Sequence, residues 1–341
     1  STPDERTITS SEISVGRFVP DHFTLVDSSV VTPACTAVAP GFTYMDQPFG
    51  GFSFTLEARN KDGNRTANYH ATGTNNLANG TVSLLAENND AGKNLSGRLA
   101  SIPATSWVSG AFIVDTGAVT FNRAAVPDGP YDALQFGVKV NDPDGVVLEG
   151  LNMNADTAGS CIAANTCDGK QIGGPTQVRF GRLRLTNAYG SPRLNLPIPM
   201  RAEYYNGTTF VTNTLDSCTT ISRSNIAMPA YRGGVSSANM TVTQNVTAGS
   251  TFAAGIGRLT LARPNPAATR KGSVDVCVDL GTDVPVTPAR CVAATPVALP
   301  WLKGRWTGNG YDDDPVSRAT FGIYKKSLGR GAEMIYFREM Y

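Results

Sequence analysis

The stretch Asn309-Gly310-Tyr311-Asp312-Asp313-Asp314 gathers oxygen donors around a glycine. A hard cation such as calcium takes several oxygen ligands from a tight loop, with glycine permitting the turn. Asn309, Asp312, Asp313 and Asp314 are therefore the candidate calcium ligands. The same residues also read as an acidic β-turn whose Asp side chains cap backbone amides, and that plainer reading is preferred. Asp142-Pro143-Asp144-Gly145 is a second carboxylate pair, better read as a turn. Trp301, Trp306 and Tyr311 flank the acidic run and are candidate ligand-facing aromatics, with Tyr204 and Tyr205 as further rings able to stack on sugars. In alternating strands such rings are more often core.

Catalytic chemistry has little to work with. The chain holds two histidines, His22 and His70. Neither lies near a nucleophile elbow, and no GxSxG occurs. There is no P-loop lysine motif, no HExxH and no dinucleotide fingerprint after a strand. A glycosidase needs two carboxyls from separate elements across a sugar bond, which adjacent aspartates do not provide. The expectation is a protein without catalytic apparatus and without a cofactor, calcium excepted. Six Asn-x-Ser/Thr sequons follow from the abundance of Asn and Thr, and no glycan is assigned to them.

The elements that must position these residues are strands. Of 341 residues, 41% are hydrophobic and only 17% charged, with 35 Gly and 21 Pro. That balance suits short strands and many turns. A net charge of +1 gives no electrostatic case for nucleic acid, and no apolar run is long enough for a membrane span. The six cysteines, Cys35, Cys161, Cys167, Cys218, Cys277 and Cys291, form no CxxC pair. An even count without zinc spacing points to disulfides and an oxidising compartment. Cys161 and Cys167 enclose a small polar loop, and Cys277 and Cys291 flank a turn. By elimination Cys35 would join Cys218, although spacing alone does not fix connectivity.

Hydrophobic alternation of period two runs through most of the chain. Phe52, Phe54, Leu56 and Ala58 face one way, and Asn60-Lys61-Asp62-Gly63 follows as a turn. Ala111 to Phe121 and Leu134 to Val140 read as strands, the latter turning through residues 141–145 into Val146 to Leu148 as a hairpin. The phase switch at Gly181 predicts a β-bulge. Met200 to Tyr205 turns at Asn206-Gly207 into Thr208 to Val211, a two-residue hairpin signal, and Val274, Val276, Val278 and Leu280 alternate cleanly. The fold expected is all-β, two tandem immunoglobulin-like antiparallel β-sandwiches. The division expected is an N-terminal extended arm (1–16), a first sandwich (17–150), a linker with a disulfide loop (151–176) and a second sandwich (177–341). The polar opening STPDERTITSSE suggests a removed targeting sequence or a longer protein.

Three blocks carry a family resemblance. They are FTYMDQPFG with FSFTLEARN and a following Asn-Tyr (Phe42 to Tyr69), RFGRLRLTNAYG (Arg179 to Gly190), and the ending. That ending comprises WLKGRW (Trp301 to Trp306), Asp312-Asp313-Asp314-Pro315, ATFGIY (Ala319 to Tyr324) and MIYFRE (Met334 to Glu339). Together they resemble the C-terminal domain of MshQ-like proteins, encoded with the machinery of the mannose-sensitive haemagglutinin, a type IV pilus. The resemblance supplies an address and an architecture, not a reaction or a set of site residues. Related sequences carry a DGDG-type loop where this chain has Thr307-Gly308-Asn309-Gly310, so the leading carboxylates are lost. The expectation is a non-enzymatic, exported structural or adhesive protein of the cell surface, of a type IV (MSHA-like) pilus or of an extracellular filament. Its partners would be copies of itself or pilus subunits, met through strand or arm docking. The alternative is a glycan-binding module of a surface adhesin, assisted by calcium.

Overall fold

The computed structural model describes residues 19–71, 78–89, 91–159, 161, 166–246, 249–265, 271–281, 291–306, 308 and 310–322. The expected N-terminal arm, the candidate ligand Asn309 and the terminal strand Met334 to Glu339 lie outside the described residues. Among the described residues the chain is nearly all strand, with one short α-helix, Val242–Asn245, capped by the Thr241 hydroxyl. It divides into two compact units, each drawn from three segments: 1–32, 48–120 and 132–176 for the first, and 33–47, 121–131 and 177–341 for the second. The segment 151–176, expected as a linker, lies inside the first unit, and its last residues belong to the strand Lys170–Arg179.

In the first unit, His22–Thr32, Gly51–Arg59 and Ala111–Thr116 form an antiparallel sheet with Gly51–Arg59 in the centre. Gly51–Arg59 buries every second residue, so Phe52, Phe54, Leu56 and Ala58 all point inward. Asn60 then closes the expected turn, its side-chain oxygen accepting from the amides of Asp62 and Asn64, with Gly63 at φ 78°. A second sheet places Tyr131–Asn141 between Thr81–Asn88 and Lys170–Arg179. Rings from the two sheets meet in the core. Phe136 lies 5.5 Å from Phe52 and 5.2 Å from Phe49, both edge-on. Phe23, Tyr69, Trp107 and Phe112 continue the aromatic packing.

Two local expectations differ here. Ala111 to Phe121 is two strands, Ala111–Thr116 and Thr120–Phe121. Residues 141–145 do turn, with Gly145 at φ 78°, but Val146 to Leu148 does not return along Tyr131–Asn141. Both edges of that strand are already paired. The segment instead meets the first sheet through a parallel bridge, Phe23 to Leu148, secured by Phe23 N donating to Val147 O.

In the second unit one sheet has Leu196–Tyr205 in the centre, with Gly181–Leu185 on one edge and both Phe210–Thr212 and Ile256–Leu261 along the other. The other runs Ala188–Gly190, Val316–Phe321, Gly272–Val278 and Ile226–Gly233. Leu183, Ile198, Met200 and Leu259 from the first sheet pack with Val274, Val276, Val278, Ala319 and Phe321 from the second. Most pairings are antiparallel; Thr43–Tyr44 with Val178 and Arg179, and Ala188–Gly190 with Val316–Phe321, are parallel. At residue 181 a change of sheet replaces the expected bulge. Lys170–Arg179 ends, Gly181–Leu185 begins in another sheet, and a side chain at Gly181 would collide with the Tyr44 ring. The Asn206-Gly207 hairpin has four loop residues, not two, because Tyr205 pairs with Phe210 and Asn206 Oδ1 holds the amides of Thr208 and Thr209.

Three disulfides close: Cys35–Cys218, Cys161–Cys167 and Cys277–Cys291. The first joins two segments of the second unit across 183 residues.

Candidate functional site

The acidic run 312–314 leads directly into the strand Val316–Phe321, and its carboxylates separate. Asp312 is exposed, while Asp313 and Asp314 are buried. Asp313 Oδ2 accepts from the amides of Trp306 (2.8 Å) and Gly308 (3.4 Å), and its backbone exchanges two hydrogen bonds with Gly304. Asp314 Oδ1 accepts from Leu280 N at 3.0 Å. Burial pushes the Asp314 carboxyl up to about 6, against that hydrogen bond and the charge of Lys303. Asp279 spends both oxygens on the amides of Gly281 and Ala293. These are capping arrangements, as in the acidic-turn reading. Among the described residues no three His, Cys, Asp or Glu side chains gather as a metal site would require. Asp142 closes its own turn, Oδ1 accepting from Asp144 N.

The candidate aromatics are half-buried rather than standing free. Trp301 packs on the core of the second unit. Tyr311 meets Phe180 edge-on at 4.9 Å and Phe210 at 6.0 Å. The guanidinium of Arg182 lies over the Trp306 ring at 4.9 Å and over the Phe210 ring at 3.8 Å. Arg182 also pairs with Glu203 at 2.7 Å. Of the other two rings considered, Tyr204 stacks under Arg179 at 4.3 Å, and Tyr205 donates its hydroxyl to Gly207 O.

Two buried polar clusters were not singled out from sequence. Arg123 donates to the backbone carbonyls of Gly181, Trp301, Lys303 and Tyr311, and lies 4.5 Å over the Phe180 ring. Burial draws its pKa down to about 10, against the pull of Asp46 at 3.8 Å. One guanidinium thereby binds the Trp301 to Tyr311 segment to the start of Gly181–Leu185. In the second cluster, Tyr44 donates to Asp216 Oδ2 at 2.9 Å while Asn213 donates to the Tyr44 oxygen at 2.9 Å. Asp216 also receives the amides of Cys218 and Thr219 and the Thr219 hydroxyl, and Arg179 donates to Asn213. Burial, with the neighbouring Asp216 charge, holds the Tyr44 phenol well above its usual value. This network sits beside the Cys35–Cys218 disulfide. The acceptors around Arg123 are backbone carbonyls, which carry no sequence signature, and the members of the Tyr44–Asp216 network lie far apart in sequence.

Both histidines have local partners. His22 Nδ1 lies 3.0 Å from Asp21 Oδ2, and His70 Nδ1 accepts from Ser109 N.

The fold and these sites define an all-β, disulfide-bonded protein whose buried charges hold chain segments together. The chain belongs to the DUF6701 family: residues 3–168 match "DUF6701, third domain" and residues 179–340 match "DUF6701, fourth domain". None of the curated proteins matches it. Among solved structures it is similar to the Yersinia pseudotuberculosis adhesin InvE at 13% identity and a TM-score of 0.25. The match covers 84% of this chain and 58% of that one, and a likeness at this level carries no argument about fold or function.

Proposed function

We propose that the chain is an exported, non-enzymatic structural or adhesive protein of the bacterial surface, associated with type IV (MSHA-like) pili or an extracellular filament. The observation that carries this reading is how the buried charged groups are spent. Arg123 binds four backbone carbonyls, and Asp216, Asp279, Asp313 and Asp314 each accept backbone amides. Groups so engaged resist separation of the segments they join. Three disulfides add covalent links of the kind that persist outside the cytosol. Copies or pilus subunits are the proposed partners, with the N-terminal arm, residues 1–16, adding a strand to a neighbour.

Electron microscopy of purified protein, full-length and lacking residues 1–16, with and without a chelator, tests this. The expected result is ordered filaments that vanish with the arm. Dispersed particles of the full-length chain, together with no co-fractionation with pili, would overturn the reading. Filaments that dissolve in chelator would bring calcium back to Asp312.

A further inference from the structure

The outward face of the second unit's first sheet is rich in arginine. On Gly181–Leu185 the outward residues are Arg182 and Arg184; on Leu196–Tyr205 they are Pro197, Pro199, Arg201, Glu203 and Tyr205; on Ile256–Leu261 they are Ile256, Arg258 and Thr260. The inward residues between them, Leu183, Met200, Ala202, Gly257 and Leu259, are buried. Four arginines therefore share this face with one glutamate, while the whole chain carries a net charge of only +1. Glu203 pairs with Arg182 and, at 3.6 Å, with Arg184. Among the described residues Arg201 and Arg258 have no ion pair, and both are exposed.

The register sharpens the point. Arg184 and Arg201 are direct cross-strand partners, and Arg201 pairs with Ile256, so Arg258 is its diagonal neighbour. Directly opposed side chains stand about 5 Å apart and diagonal ones about 7–8 Å. Like charges directly opposed destabilise a sheet; Glu203 offsets Arg184 at 3.6 Å, which leaves Arg201 and Arg258 as the cations with no ion pair among the described residues. Guanidinium groups fit carboxylate and sulfate in bidentate fashion, which lysine does not. At one end of the same face the arginine row passes into rings: Arg182 lies against both Phe210 and Trp306, and Tyr205 packs on Phe210 at 5.6 Å. Cationic forks beside half-buried ring edges suit a polymer that alternates apolar sugar faces with acidic groups.

We infer that this face binds an anionic polysaccharide, its carboxylate or sulfate groups held by Arg184, Arg201 and Arg258 and its sugar rings resting against Phe210 and Trp306. The inference goes beyond the surface-protein reading and does not depend on filament formation.

The test is binding of the dispersed full chain to immobilised heparin and polygalacturonate, with neutral dextran and duplex DNA as comparators. Wild type is compared with the double variant Arg201→Thr, Arg258→Thr and with Arg193→Thr, an exposed arginine outside this face. The expected result is binding to one or both acidic glycans that weakens at least tenfold between about 50 and 200 mM salt. The double variant should lose at least tenfold in affinity while keeping or raising its melting temperature; Arg193→Thr should bind like wild type. Preference for heparin would assign sulfate, and preference for polygalacturonate would assign carboxylate. No binding to either glycan, equal binding to DNA or to dextran, or undiminished binding by a folded double variant would each overturn the inference. If the double variant fails to fold, Arg184→Gln alone carries the comparison: a threefold or greater loss supports the site, and no loss overturns it.

Discussion

The two units solve the same packing problem with different materials. The first fills the space between its sheets with rings, where Phe23, Phe49, Phe52, Phe54, Tyr69, Trp107, Phe112 and Phe136 are all buried. Its one disulfide, Cys161–Cys167, closes a small loop. The second buries rings as well, Phe42, Phe180, Phe252 and Phe321 among them, but its core cluster is mainly Leu, Ile, Val, Met and Ala, supplemented by two disulfides and the buried networks around Arg123 and Asp216. Large rings bring much apolar area per residue and prefer edge-to-face contact, which itself fixes geometry. Aliphatic cores are less particular, and here the uniqueness of the arrangement is shared with directional polar bonds and covalent links.

That contrast predicts where each unit breaks. Phe136→Ala removes the ring between Phe49 and Phe52 and should cost about 3–5 kcal/mol by denaturant unfolding. A loss under 1 kcal/mol would mean the first unit does not rely on its rings. Replacing Cys35 and Cys218 together by Ser should cost about 2–5 kcal/mol, read as weakened hydrogen-exchange protection in Leu196–Tyr205. Unchanged protection there would show the polar network suffices alone. Tyr44→Phe deletes one donor to Asp216 and leaves Asn213 without its acceptor, for about 1–3 kcal/mol. A double-mutant cycle with Asp216→Asn measures whether the two act together, and strict additivity would dissolve the network into independent bonds.

The smallest effect is titration, and its sign separates two buried aspartates of the second unit. The Asp314 carboxyl is raised, to about 6, so its contribution is fully present below about pH 4 and is lost as pH rises through about 6. Burial also pushes Asp275 up, but hydrogen bonds and charge from Arg318 and Arg232 outweigh it, so its carboxyl lies below the usual value. Its contribution is present above the usual carboxylate range and is lost as pH falls through its lowered pKa. Asp314→Asn should therefore flatten the pH dependence of melting between pH 4 and 7 and leave the more acidic limb in place. Flattening of the acidic limb instead would reverse the assignment.

Much of this was legible one strand at a time. Gly51–Arg59 is recognisable because one face meets the core and the other does not, so burial and sequence alternate together. Gly272–Val278 shows the same alternation in sequence yet is buried on both faces. Ser273, Asp275 and Cys277 look like a solvent face and are in fact covered, which local pattern does not reveal. Turn chemistry was readable at Asn60 and Asn206, whose side chains do hold the following amides, but a turn signal does not name the strand that follows. Val146 to Leu148 went to another sheet because its expected edge was occupied. Least legible was the traffic between segments: Thr43–Tyr44 pairs with Val178 and Arg179, far away in sequence. Arg123 was invisible for a related reason, since four carbonyls from distant positions give it no motif. The acidic run was found from its composition, whereas the opposition of Arg184 and Arg201 appears only once the register is known.

The nesting of the disulfides bears on how the chain is made. Cysteines emerge from the ribosome in the order Cys35, Cys161, Cys167, Cys218, Cys277 and Cys291, and an oxidant acting as each thiol appears would join Cys35 to Cys161. The bond that forms instead encloses the Cys161–Cys167 pair within its 183-residue span. Cys35 must therefore stay reduced, or surrender an early wrong partner, until Cys218 is available. Where the early wrong bond forms, thiol–disulfide exchange is needed as well as oxidation, and yield then follows isomerase activity more closely than oxidising power.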